Sequence, residues 1–277
     1  MGGEHVGRRR LVARRALLVG LAIALPAIPI AIGIAIGLQK PAAGTAAAAT
    51  ETLTPAAMAP GDRAAPAKRG APRLPAIPGG SGALVALLTH PTNLQSSPGG
   101  HSIARLHTRT EFGSPEMLWV VAHVPGWLGV MTPQAGNGRV AWIAQSATSL
   151  GRVSWELRVS LAARRLTVLD RGRVVERYTV AVGTPDAPTP TGRFAVTDRL
   201  VTNDPGGPYG CCILALSANA PHAIQGWTGG TRIAIHSTPE TGTIGEAASH
   251  GCVRVTLAEG RWLLAHIPLG TPTLISS

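Results

Sequence analysis

Ser249-His250-Gly251-Cys252-Val253-Arg254 places a cysteine directly after a glycine, two residues after a histidine and two before an arginine. His236 stands sixteen residues upstream of Cys252. These are the residue types that acyl transfer to sulfur requires. The attacking species is a thiolate, and a free thiol ionises near about pH 8.5. A histidine within hydrogen-bond reach takes that proton or holds the thiolate as an ion pair. Arg254, and backbone N–H groups at a following helix start, lower the thiol pKa further. Gly251 and Cys252 offer backbone N–H groups to an oxyanion, and a glycine admits close approach of substrate. Spacing alone leaves the base open. His236 closes a strand and can face Cys252 across a cleft; His250 and Cys252 share a face wherever the chain is extended.

The elements that must position these residues read as mostly β. Gly (34) and Pro (23) are abundant in the 277 residues and aromatics make up 4%, which suits short strands and turns better than a helical bundle. From Trp155 onward, alternation of Trp155, Leu157, Val159 and Leu161 predicts a half-buried strand. Further strands are predicted at Leu166–Leu169 and Val174–Val182, joined by the turn Asp170-Arg171-Gly172, then at Phe194–Val196, Thr231–Ser237 and Thr271–Ile275. One segment, Thr256 to His266, reads as a helix: Thr256 and Glu259 form a capping-box pattern, and Pro268-Leu269-Gly270 stops it.

Ahead of this lies a second folded segment, 81–150, expected to be a small all-β module. Apolar runs at Leu84–Leu88, Leu118–Val124, Leu128–Met131 and Val140–Ile143 alternate with turn signals, and Asn137-Gly138 reads as a hairpin. Trp127 to Ile143 loosely resembles the ends of bacterial SH3-like wall modules. Trp119, Trp127 and Trp142 are expected as core aromatics rather than ligand contacts.

The first eighty residues read as targeting sequence. Five arginines precede residue 16. Ala16 to Leu38 is free of charge, about 34 Å long as a helix and enough to cross a bilayer core. Arginines before it and only Lys40 close behind it place the N-terminus in the cytoplasm and everything after residue 40 outside. The reading is a basic stub (1–15), an uncleaved anchor rather than a cleaved signal (16–38) and an Ala/Pro-rich flexible linker (39–80). The formal charge of +11 is scattered beyond the stub, with no dense basic run and no nucleic-acid motif, so a nucleic-acid partner is not expected.

There are three cysteines, Cys211, Cys212 and Cys252. An odd count is poor material for a disulfide framework. Neighbouring Cα atoms lie about 3.8 Å apart, below the usual disulfide separation. Cys211 and Cys212 are therefore expected unpaired, as small buried apolar side chains.

Ser249–Arg254 resembles the signature of the L,D-transpeptidase (YkuD) catalytic domain family, here in an actinobacterial-type, membrane-anchored arrangement. Ala181-Val182-Gly183 with Pro188-Thr189-Pro190-Thr191-Gly192-Arg193-Phe194 resembles that family's VG…PTPxGxF segment, Ile235-His236-Ser237 its second histidine motif, and Pro208-Tyr209-Gly210 a segment near its substrate cleft. The resemblance spans about 155–275. It implies a β-sandwich or barrel with one short helix over 151–277. It implies Cys252 as nucleophile and His236 as base, with Ser237 holding the imidazole through its backbone. His250, Gly251, Ser249 and Arg254 shape the oxyanion site or support the loop, and Tyr209 and Gly210 lie against substrate. Donor and acceptor peptidoglycan stem peptides are the implied partners, with 3→3 cross-linking or hydrolysis at the same site and with carbapenem acylation of Cys252. No metal or nucleotide cofactor is implied. Two rival readings are a zinc site on His236, His250 and the cysteines, and a wall-binding module without activity.

Overall fold

The computed structural model describes residues 81–221 and 230–277. The segments read as stub, anchor and linker lie outside the described residues, among which no helix is long and apolar enough to cross a membrane. Seven strands come first: β1 (Ala83–Leu88), β2 (Thr92–Gln95), β3 (Ser102–Leu106), β4 (Met117–Val124), β5 (Trp127–Met131), β6 (Ala141–Ala144) and β7 (Thr148–Val153). They form one antiparallel sheet in the order β3-β2-β6-β5-β4-β1-β7. The near-continuous apolar run of β4 has a physical reason. Leu118 and Val120 enter this sheet's own core with Leu94, Leu128 and Ile143. Trp119 and Val121 turn the other way and pack with Met131 and Ala195, the latter from the second sheet. A strand buried on both faces loses the alternation that marks a one-sided strand. Trp119 is a core aromatic as expected, whereas Trp127 and Trp142 are only partly buried.

The rest of the chain adds β8 (Trp155–Ser160), β9 (Arg165–Asp170), β10 (Arg173–Thr179), β11 (Val182–Gly183), β12 (Gly192–Val201), β13 (Cys212–Asn219), β14 (Arg232–Thr238), β15 (Ala247–Ser249), β16 (Val253–Thr256), α1 (Leu257–His266) and β17 (Pro272–Ser276). Eight of them form a sheet in the order β10-β9-β8-β17-β12-β13-β14-β16, and β11 pairs with β15 alone. The β14–β16, β8–β17 and β11–β15 pairs are parallel. Both sheets belong to one unit. The described residues are thus mostly β, with one α-helix.

The helix starts where its box predicts: Glu259 N–H donates to Thr256 Oγ1 (3.3 Å) and Thr256 N–H donates to Glu259 Oε2 (2.8 Å). Arg171 (φ 49°) and Gly172 (φ 74°) both take left-handed conformations, the geometry of a two-residue hairpin whose twist matches its strands. Asn137-Gly138 is different. β5 and β6 do pair, Leu128 opposite Ile143, but residues 132–140 connect them through a short 3-10 turn. The Asn137 amide is spent elsewhere, on the backbone of Asn219. β13 carries no turn-punctuated alternation in the sequence, because Cys-Ile-Leu-Ala-Leu-Ser is buried almost throughout at the middle of the sheet.

Candidate active site

The parallel pair β14–β16 brings the two chemical segments together. His236 stands opposite Arg254 in that ladder, so Cys252, just before β16, comes level with Ala234 and Ile235. β14 alternates: Ile233 and Ile235 enter the core, while Arg232, Ala234 and His236 fall on the other face. Cys252, His236, His250, Ser249, Arg254 and Tyr209 line a single cavity of about 230 Å³, with Ala220, Thr231 and Arg232 forming more of its wall.

The loop carrying Cys252 is held from three sides. Ser249 hydroxyl donates to the Cys252 carbonyl and accepts from Gly251 N–H (3.1 Å). The Val182-Gly183 strand pairs with β15, Thr184 N–H donates to Ser249 O (3.0 Å), and Ala181 and Arg254 exchange backbone hydrogen bonds (3.0 and 2.9 Å). Gly183 N–H in turn donates to Thr189 Oγ1 (2.8 Å), inside the PTPTG run. That run is therefore a brace for the nucleophile loop. Gly251 has φ +111°, and a Cβ there would stand 2.9 Å from Ile233 Cδ1, so both conformation and space require glycine. Its N–H, expected as an oxyanion donor, is committed to Ser249; Gly251 serves the turn instead.

The imidazole is oriented by the backbone carbonyl of the next residue. His236 Nδ1 lies 2.8 Å from Ser237 O, and a carbonyl only accepts, so Nδ1 carries the proton and Nε2 keeps its lone pair. Tyr209 meets the ring edge-on, centroids 5.0 Å apart. Burial pushes His236 down to about 4, aided by Arg254 and against hydrogen bonding to the Ser237 and Tyr209 carbonyls. Burial pushes the Cys252 thiol up, against the Ala234 backbone hydrogen bond and Arg254, which pull it down. Desolvation outweighs the cation. Both shifts favour the uncharged thiol and imidazole over the ion pair that a cysteine beside histidine and arginine suggests.

Ser237 is fully buried and anchors more than the ring: its Oγ accepts from Cys212 N–H (3.1 Å) and donates to Tyr209 O (3.3 Å). Gly210, expected against substrate, is buried behind Ser237; a Cβ there would stand 2.5 Å from Ser237 Oγ. Cys211 and Cys212 are joined as a disulfide, correcting the expectation of unpaired thiols. Alternation separates neighbouring side chains only within a strand, and Cys211 sits in the turn ahead of β13. Cys252 is the free cysteine. Arg254 reaches the exposed Glu240 carboxylate (3.5 Å), while its buried Nε has no hydrogen-bond partner among the described residues.

Sequence reading did not single out Arg232, Asp198, Glu111 or Glu116. Asp198 is fully buried, accepts from Thr110 Oγ1 and lies 3.9 Å from Arg232 Nη2; Arg232 also pairs with Glu111. Glu116 is raised to about 7 by burial and by the Asp198 and Glu111 charges, against Arg232. Only the β14 alternation could have flagged Arg232, as sharing a face with His236.

A β-rich domain with a cysteine and an oriented histidine on one cavity is the class of protein these features define. The family model of the L,D-transpeptidase catalytic domain, YkuD, matches residues 154–275. The chain is 32% identical to YkuD of Bacillus subtilis over 124 residues, 45% of this chain and 67% of that protein. It is 29% identical to YqjB of Bacillus subtilis over 128 residues, 43% of this chain and 69% of that protein. A solved L,D-transpeptidase from Mycobacterium smegmatis is 18% identical, covering 55% of this chain and 90% of its own, with a TM-score of 0.36. The chain belongs to the YkuD family of L,D-transpeptidase catalytic domains.

Proposed function

We propose that this chain is a peptidoglycan L,D-transpeptidase that forms 3→3 cross-links through an acyl-enzyme on Cys252. The observation that carries the reading is the His236 tautomer: Nδ1 locked on Ser237 O leaves Nε2 as a base on the cavity that Cys252 also lines.

In the first half-reaction Cys252 Sγ gives its proton to His236 Nε2 as it attacks the carbonyl carbon of the L,D-peptide bond in a tetrapeptide stem. The S–C bond forms, the C–N bond breaks, and the nitrogen of D-Ala leaves with the proton returned from Nε2. In the second, the amine of another stem gives a proton to Nε2, forms the new C–N bond and expels the sulfur, which is reprotonated. Since burial favours the uncharged form of both groups, proton transfer accompanies attack rather than preceding it. Cys252 N–H supports the oxyanion, Arg254 adds positive charge at the cavity wall, and Tyr209 shields the imidazole. Water in place of the amine would make the site an L,D-carboxypeptidase.

The remaining parts of the reading rest on sequence. The Ala16–Leu38 stretch anchors the chain with its N-terminus in the cytoplasm, and the linker carries the catalytic domain into the wall space. Residues 81–150 act as an SH3-like module beside it.

The test is product analysis of the full chain with a tetrapeptide stem and an amine acceptor. Release of D-Ala with a product of the summed acyl and acceptor mass supports transpeptidation. Release of D-Ala with tripeptide alone makes the enzyme a carboxypeptidase, and no release from wild type removes the enzymatic reading.

A further inference from the structure

The β13–β14 ladder is broken beside the candidate site. Ile213, Leu214 and Ala215 pair with His236, Ile235 and Ala234, but the next pair is Asn219 with Arg232. Residues 216–218 therefore stand against Ile233 alone. Such bulges re-aim side chains at the cost of a disrupted ladder. Here the residues just beyond it, Ala220 and Thr231, together with Arg232, form cavity wall, and Ala220 N–H donates to Thr231 O (2.6 Å).

Both members of the rung that closes the break are held by connections between strands of the first sheet. Asn137 presents its amide as a peptide would: Nδ2 donates to Asn219 O (2.7 Å) and Oδ1 accepts from Asn219 N–H (2.9 Å). Asn219 Nδ2 returns a bond to Pro133 O (3.0 Å). On the facing strand, Arg232 fills the bulge, Nε and Nη2 donating to Leu216 O (3.0 and 2.7 Å), and Nη1 is held by Glu111. Phe112 lies under the same guanidinium, 5.7 Å away. Arg232 is 12% exposed but Glu111 is 45% exposed, so solvent screens this ion pair from the carboxylate side and its use is to hold the guanidinium in place.

We propose that Asn137 and Glu111 are positioning residues for the Cys252 site: they lock Asn219 and Arg232, and so fix the part of the cavity wall that Ala220, Thr231 and Arg232 form. The inference rests on the transpeptidase reading for its effect on substrate. Neither residue touches the reacting atoms; Glu111 acts through Arg232 on the cavity wall, and Asn137 through Asn219, next to Ala220 on that wall. A displaced wall weakens binding while leaving the sulfur and imidazole as they were.

The experiment uses the full chain as wild type, Asn137→Ala, Glu111→Gln, Glu111→Asp and, as a control in the same sheet, Asn93→Ala. Turnover of a tetrapeptide stem gives KM and kcat. Iodoacetamide alkylation reports Cys252, and amide hydrogen exchange reports Ala220 and Arg232. Asn137→Ala and Glu111→Gln are expected to raise KM about threefold to tenfold, the worth of one lost hydrogen bond. kcat and the alkylation rate stay at the wild-type values, and the Ala220 amide exchanges faster. Glu111→Asp restores KM, and Asn93→Ala changes nothing. Variants that melt lower with unchanged KM and unchanged Ala220 exchange would reduce the contacts to ordinary stabilisation and overturn the proposal. If wild type turns over no stem peptide, the transpeptidase reading fails by itself, and Ala220 exchange alone decides whether Asn137 and Glu111 lock the wall.

Discussion

His236 donates from Nδ1 to the carbonyl of Ser237 at 2.8 Å. A backbone acceptor next in the chain fixes the ring without adding a charge, which is why burial can hold the imidazole at about 4. A carboxylate in the same place would have raised it.

The acid limb of turnover should follow from this. Neutral His236 is the working form, so kcat/KM for a stem peptide is expected to fall only as pH drops toward about 4, not near 6.5. His236→Asn is expected to lose about 10²–10⁴-fold in kcat, the range of a general base. An acid limb centred near the ordinary histidine value would place another group in that role.

Thiol reactivity without substrate tests the other half of the pair. Because burial pushes Cys252 up, its alkylation by iodoacetamide should be slow at neutral pH and climb through the alkaline range without a plateau near pH 7. A fast, pH-independent rate at pH 6–7 would mean a standing thiolate.

Glu116 gives stability a pH dependence of known sign. Its folded pKa, about 7, lies above the unfolded value of 4.5, so its stabilising contribution is complete below 4.5 and is lost as pH rises through 7. Glu116→Gln should therefore melt close to wild type near pH 4.5 and higher than wild type at pH 8, with Asp198, Glu111 and Arg232 unchanged. A constant difference across that range would contradict the assignment.

Gly260 links helix packing to the site. Glycine inside a helix costs about 1 kcal/mol relative to alanine, so Gly260→Ala would stabilise an isolated helix. In place, the new Cβ would stand 2.7 Å from Ser237 Cβ, behind the residue that orients His236. The clash is expected to win: thermal stability falls by about 1–3 kcal/mol as for overpacked cores, and kcat falls with it. A stabilised and fully active variant would show that Ser237 has room to move.

Much of this was legible in the sequence, and the losses have physical causes. The capping box and the Asp170-Arg171-Gly172 turn are local, so Thr256 and Arg171 declare themselves within a few residues. The signature around Cys252 and the strand carrying His236 are local too, and parallel pairing of β14 with β16 brings them together. Asn137-Gly138 misled because its amide bonds a residue far along the chain. β13 was hidden by two-sided burial, which erases alternation. Gly210 looked like a cleft residue and proved to be packing against Ser237, a close approach no spacing reveals. The sign of the Cys252 shift depends on burial against one cation, and burial is a tertiary property.

The central claim is that Cys252 forms the acyl-enzyme. Intact-mass spectrometry of the full chain after incubation with a carbapenem addresses it most directly. Wild type should gain the mass of one acylating carbapenem and Cys252→Ala should gain nothing. Wild type without an adduct, or an equal adduct on Cys252→Ala, would contradict it.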